Sequence, residues 1–66
     1  MKSIGESIRE IREAKGLTQR EVANKIYVSD ALICAIEHDT KQPSLNVALA
    51  LADLFDTDVE TLLGRK

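Results

Sequence analysis

Cys34 and His38 are the single cysteine and the single histidine in a chain of 66 residues. The side chains best suited to nucleophilic, redox or metal chemistry are therefore present once each. A zinc centre asks for three or four nitrogen, sulfur or carboxylate ligands in a set geometry. One histidine and one cysteine fall short within a monomer, so no metal and no other cofactor is expected. An enzyme needs a nucleophile, a base and a group that orients the base, gathered in a cleft. No such set is readable, and the core is too small to hold a substrate pocket, so the chain is expected not to be an enzyme. Cys34 reads as a small apolar filler, because a redox sensor would want a resolving thiol that the chain lacks. The carboxylates fall where helix caps and solvated faces would put them.

Recognition is what remains, and composition bounds it. A chain this short is one domain, residues 1–66, and buries only about 60% of its unfolded surface. Aromatic side chains are limited to Tyr27 and Phe55, so the core is aliphatic. The start, Met1-Lys2-Ser3-Ile4-Gly5-Glu6, places an acid where a secretion signal needs apolar residues. The longest apolar run, Val47 to Ala52, is far below the roughly 20 residues that span a bilayer. A lone cysteine without a signal suits a reducing cytoplasm, and cytoplasmic is the expected location, with no membrane contact. The net charge is −2 and the pI about 5.2, an unusual balance for a nucleic-acid binder. The distribution differs along the chain. Residues 1–25 hold six basic and four acidic side chains, and residues 26–63 hold one basic and seven acidic; Arg65 and Lys66 close the chain. Any contact with DNA must come from a local patch.

Five helices must do the positioning. Ser3 with Glu6, and Thr18 with Glu21, read as capping boxes, in which each side chain satisfies an orphan amide. Ile4, Ile8 and Ile11 follow the first box at helical spacing, and Gly16 suits the C′ position. Val22, Ala23 and Ile26 follow the second. After a break at Tyr27-Val28, Ser29 caps a third helix, with Asp30 in its first turn and Ile33 and Ile36 facing inward. A polar loop, residues 38–43, leads through Pro43 to Ser44, the cap of a fourth helix. That helix is apolar almost all round, which predicts the central, most buried position. Residues 56–58 end it and cap a fifth, Val59 to Leu63, stopped by Gly64. No strand pattern persists. Two short helices, Thr18–Ile26 and Ser29–Glu37, joined by a tight turn, are the geometry of a helix-turn-helix spanning about 18–37, with the second helix lying in the major groove. Ala23 faces their crossing, where a larger side chain would force them apart.

Gly16-Leu17-Thr18-Gln19, Val22-Ala23, Val28-Ser29, Ile33, Ile36-Glu37 and Pro43-Ser44-Leu45, in that order and spacing, resemble the Cro/phage-repressor (Xre-type) helix-turn-helix family over about residues 4 to 63. The resemblance implies an all-α, five-helix, lambda-repressor-like DNA-binding domain. It implies a transcriptional regulator, foremost a repressor that binds a palindromic operator in double-stranded DNA as a dimer. By position, Gln19 would contact a phosphate and position a side chain of the recognition helix. Ser29, Asp30, Ala31 and Ala35 fall where such proteins touch bases, and His38 and Lys41 where they grip the backbone. Arg12 and Glu37 match a pair that forms a buried salt bridge between first and third helices, a structural role. In this family the last helix often forms the dimer interface. A domain this small is not expected to bury all of Phe55, Val59, Thr61, Leu62 and Leu63, which supports a homodimer there.

The chain departs from the family pattern in three places. Tyr27 stands where the turn usually holds glycine, a position that often needs a positive φ. Asp39 replaces the loop glycine and tolerates the left-handed region better than most residues. The outward positions expected on the recognition helix (Asp30, Ala31, Leu32, Cys34 and Ala35) include no Arg, Lys, Gln or Asn for bidentate base contacts. Asp30 can accept from a cytosine amino group, or merely support the helix start. Ala31 or Leu32 can meet a thymine methyl, and DNA shape would carry much of the specificity. The alternative reading follows from the same face: a protein-interaction module or antitoxin on a helix-turn-helix frame, with a protein partner on the apolar side chains of the third helix. With no ligand domain in view, any signal would arrive through loss, cleavage or a partner protein.

Overall fold

The structure is a computed structural model, and it describes residues 2–64; Arg65 and Lys66 of the charge reading lie outside the described residues. Among the described residues five helices follow one another: α1 (Ile4–Ala14), α2 (Gln19–Lys25), α3 (Asp30–Glu37), α4 (Leu45–Leu54) and α5 (Val59–Leu62). Among the described residues there is no strand.

Every helix is opened by a side chain that accepts from an orphan N–H. Ser3 accepts from the Glu6 amide, Thr18 from Glu21, Ser29 from Leu32, Ser44 from Val47 and Asp58 from Thr61, at 2.7 to 3.2 Å. Both capping boxes close, with Glu6 and Glu21 accepting in return from the amides of Ser3 and Thr18. Such caps each stabilise by about 1 kcal/mol, which matters in a domain with so little core.

The helix ends are equally uniform. Gly16, Tyr27, Asp39, Asp56 and Gly64 each follow a helix with φ between 55° and 74°. A left-handed residue there reverses the chain so that later amides reach back to helix carbonyls. Leu17 donates to Arg12, Val28 to Ala23, Thr40 to Ala35 and Thr57 to Ala52, at 2.9 to 3.2 Å. This explains how helices of only four to eleven residues stay ordered: both ends are chemically closed. Tyr27 resolves the first departure noted in the sequence. It keeps the glycine conformation of the turn, φ 61°, with its ring 94% exposed.

Ile8, Val22, Ala23, Ile33, Ile36, Ala48, Leu51, Ala52, Phe55 and Leu62 form one core, aliphatic but for the Phe55 ring, to which all five helices and the α4 C-cap contribute. Two expectations are corrected here. The fourth helix is not the buried axis: Leu45 is 72% and Leu49 49% exposed, and α4 buries only Ala48, Leu51 and Ala52. Leu32 does not face outward either. It is half-buried, packs against the core, and with Val47 and Pro43 lines a crease between α3 and the start of α4. Phe55 and Leu62 are fully buried, which leaves Val59, Thr61 and Leu63 as the surface portion of the C-terminal segment.

Two contacts fix α1 against α3. A Cβ on Gly5 would stand 2.5 Å from the carbonyl oxygens of Ile36 and Glu37, so the missing side chain is what lets the two backbones touch. The Gly5 N–H donates to Asp39 Oδ1 at 3.0 Å. Hydrogen bonds from the Ser3 side chain and from the Gly5 backbone hold the Asp39 carboxyl below its usual range. About two turns further along α1, the guanidinium of Arg12 reaches Glu37.

Candidate nucleic-acid interface

α2 and α3 are set at their angle by a charge buried where they meet. The Glu37 carboxylate is 1% exposed. It accepts from Arg12 Nε at 2.7 Å, from Arg12 Nη2 at 3.1 Å and from Gln19 Nε2 at 3.0 Å. Arg12 Nη1 donates to the Leu17 carbonyl at 2.7 Å. One carboxylate therefore ties α1, the loop before α2, the first residue of α2 and the last residue of α3. The hydrogen bond to Glu37 raises the Arg12 pKa against the opposing pull of burial. No buried side-chain N or O is left without a partner among the described residues, the condition under which a buried ion pair is tolerable.

Around this frame the residues expected at the site fall into three places. Gln19 opens α2 and turns its amide inward to Glu37, so it positions the end of the recognition helix. Ser29 and Asp30 start α3: the Ser29 hydroxyl is occupied by the Leu32 amide at 3.1 Å, and Asp30 is exposed. Ala31 and Ala35 join Cys34, His38 and Thr40 around one shallow, open concavity of about 490 Å³ on the outer face of α3. Lys41 is exposed but is not drawn into that concavity; it borders the crease beside Leu32, Gln42 and Ser44.

The C-terminal end of α3 has its own chemistry. His38 Nδ1 lies 2.8 Å from the Cys34 carbonyl oxygen and 3.5 Å from Cys34 Sγ. A carbonyl only accepts, so this hydrogen bond uses the tautomer with the proton on Nδ1. The Thr40 hydroxyl donates to the Ala35 carbonyl at 3.1 Å. Late carbonyls of α3 are thereby closed by side chains just past its end, and the outer face presents methyl groups, a thiol and one imidazole.

One side chain of this surface was not singled out in the sequence. Arg20, the second residue of α2, brings Nη2 to 3.5 Å from Asp30 Oδ2. It sits beside Gln19 in the first turn of the first helix of the motif, and that position was the available signal. Counting it only toward the net charge hid it. Among the described residues no three His, Cys, Asp or Glu side chains gather as metal ligands, and no helix is long and apolar enough to cross a membrane.

Two short helices joined by a left-handed turn and braced by three others define a helix-turn-helix domain. The helix-turn-helix family model matches residues 8–62, and the chain belongs to that family, in its Cro/phage-repressor branch. It is 30% identical over 63 residues to the HTH-type transcriptional regulator ImmR of Bacillus subtilis (strain 168), covering 96% of this chain and 50% of that one. It is 31% identical over 64 residues to the immunity repressor protein of Bacillus phage phi105, covering 97% and 44%. This chain thus spans about half the length of these relatives. An HTH-type transcriptional regulator of Archaeoglobus fulgidus is 38% identical over 55 residues, 83% of this chain and 79% of that one. Among solved structures, the P22 c2 repressor in complex with synthetic operator 9T superposes with a TM-score of 0.92 at 24% identity over the whole of both chains. The restriction-modification controller protein C.AhdI from Aeromonas hydrophila superposes with a TM-score of 0.84 at 30% identity, covering 89% of each.

Proposed function

We propose that this chain is a DNA-binding transcriptional regulator, foremost a repressor, that docks α3 in the major groove of a palindromic operator. The observation that carries the reading is the unobstructed outer face of α3, held at a fixed angle to α2 by the Arg12–Glu37–Gln19 cluster. Ala31, Cys34 and Ala35 on that face suit thymine methyl groups. Ser29 and Asp30 stand at its start, and His38 and Lys41, beyond its end, would grip phosphates. The relatives named as repressors and regulators support the same role, as does the structural likeness to a repressor bound to an operator. Residues 1–66 act as one domain, in the cytoplasm, without catalysis. A homodimer through the C-terminal segment would use Val59 and Leu63, both half-buried, with exposed Leu45 and Leu49 of α4 as further apolar surface. Its two recognition helices would then lie about 34–36 Å apart, one turn of DNA.

Fluorescence anisotropy against a randomised DNA pool at several salt concentrations, with sequencing of the bound fraction, tests the reading. Enrichment of a palindrome and a steep loss of affinity with salt are expected. Should no motif emerge even at low salt, α3 is not a DNA reader. The apolar face of Ala31, Cys34 and Ala35 then belongs to a protein partner, as in an antitoxin, whose binding would be nearly insensitive to salt. Sedimentation at micromolar protein tests the dimer; a concentration-independent monomer mass would count against it.

A further inference from the structure

The outer face of α3 has a gap in its chemistry that its neighbour fills. Ala31, Cys34 and Ala35 offer no side-chain N–H pair, and Asp30 only accepts. A groove-reading surface built from these alone would sense thymine methyls and little else. A bare carboxylate at the leading end would also repel the phosphates on either side. Arg20 sits at that spot, with its guanidinium 3.5 Å from Asp30. Three cations nearer the start of the chain are committed elsewhere: Lys2 pairs with Glu10, Arg9 with Glu13 and Arg12 with Glu37. An exposed pair such as Arg20–Asp30 adds little to stability. Its consequence is direction, because it draws the arginine off the axis of α2 and over the first turn of α3.

We propose that Arg20 is a base-reading residue, aimed by Asp30 at a guanine in each half-site, and that Asp30 is a positioning residue that makes no base contact of its own. This rests on the DNA-binding reading above. Two parallel N–H groups of a guanidinium match O6 and N7 of guanine, the commonest specific contact in major grooves. The Asp30 carboxylate holds the fork in the groove plane and keeps it from the nearest phosphate, where its charge would otherwise take it.

The test is bound-pool sequencing together with salt-dependent anisotropy on the wild type, R20A, R20K, D30N and D30E. Arg20→Ala should erase one guanine preference per half-site and leave the rest of the motif. Affinity for motif DNA should fall about ten- to a hundredfold, with much less change on DNA lacking that guanine. R20K, which keeps the charge but not the fork, should lose the same preference with an unchanged salt slope. D30N should relax the guanine preference while binding to unrelated DNA tightens, and D30E should restore discrimination. If R20A instead weakens all sequences alike and lowers the salt slope by about one, Arg20 is a phosphate contact and the inference is overturned. An unchanged guanine preference in D30N overturns the aiming role. A wild type that selects no motif sinks both this inference and the DNA-binding reading. One that selects a motif indifferent to Arg20 sinks this inference alone.

Discussion

The backbone N–H of Gly5 donates to the carboxylate of Asp39 at 3.0 Å, joining the first turn of α1 to the left-handed residue that ends α3. The contact does two things at once. A carboxylate at a helix N-terminus complements the dipole of α1, and the same residue reverses the chain after the recognition helix. Because Gly5 carries no side chain, the α1 backbone can lie directly on the carbonyls of Ile36 and Glu37. The outer face of α3 is therefore held by backbone packing behind it.

Gly5→Ala should be strongly destabilising. In an isolated helix alanine would gain up to about 1 kcal/mol over glycine. Here the new methyl would stand 2.5 Å from two backbone oxygens, and neither can swing aside as a flexible side chain would. Overpacking of this kind costs about 1–3 kcal/mol and at times more. The clash wins, and the melting temperature should fall by roughly 4–8 °C per kcal/mol. Gly16→Ala is the useful contrast: nothing lies within 4 Å of its added Cβ, and only the φ of +72° opposes it, a cost of about 1–2 kcal/mol. Equal melting temperatures for G5A and the wild type would show that α1 does not rest on α3 in this way.

Asp39 should make the fold sensitive to acid. Its carboxyl is held below its ordinary value of 3.8 by Ser3 and then by Gly5. The carboxyl of Glu21 is likewise held below its ordinary 4.5, first by the Thr18 amide. For a carboxyl depressed in the folded state, the stabilisation is complete above the unfolded pKa and disappears as pH falls through the folded one. Urea midpoints should therefore hold from pH 7 to about 5 and fall below about 4. Asp39→Asn keeps an oxygen for the Gly5 amide and tolerates a positive φ, but it loses the charge. The variant should be less stable than the wild type at neutral pH, and the gap should close under acid. A gap independent of pH would rule out the charge as its cause.

Much of this architecture is written in residues that act on their near neighbours. Ser3 with Glu6, Thr18 with Glu21, Ser29, Ser44 and Asp58 each mark a helix start, because a cap is chemistry within three residues. The helix-turn-helix follows from two such starts and the turn at Tyr27 between them. What depends on distant packing is less legible. The composition of α4 suggests burial on all sides, yet five short helices supply too little mass to cover it, and Leu45 and Leu49 stay at the surface. Leu32 looks outward on a helical wheel but is claimed by the loop that brings Pro43 and Val47 alongside. Arg20 gains meaning only when α3 places Asp30 beside it, and Gly5 only when Ile36 and Glu37 close over it.

Glu37→Ala should unfold much of the population at 37 °C. It would strand the Arg12 guanidinium, whose side chain is 11% exposed, without its counter-charge and would orphan the Gln19 amide. Breaking a buried pair from one side costs about 3–5 kcal/mol, comparable with the whole stability expected of so small a core. Replacing both partners, as in Arg12→Met with Glu37→Leu, should recover most of that loss, because no charge is then left desolvated. Urea denaturation of Arg12→Met, Glu37→Leu and the double variant reads this as a coupling energy. A double variant as unstable as E37A would mean that the Gln19 and Leu17 contacts matter more than the charge.

Tyr27→Gly should stabilise the domain while separating fold from function. At φ 61° a tyrosine pays for the left-handed turn, with strain of about 1–3 kcal/mol for a non-glycine residue. Glycine relieves that strain but brings a more flexible unfolded chain, which returns about 0.5–1 kcal/mol. The ring is 94% exposed, so its removal gives up little packing. A net gain of about 0.5–1 kcal/mol is expected, visible as a higher melting temperature. DNA affinity then decides why a strained residue occupies the turn. If Y27G is more stable and binds its motif as tightly, the tyrosine is incidental to recognition. If it is more stable and binds more weakly, the ring is itself a contact at the tip of the motif, and the strain is the cost of presenting it there.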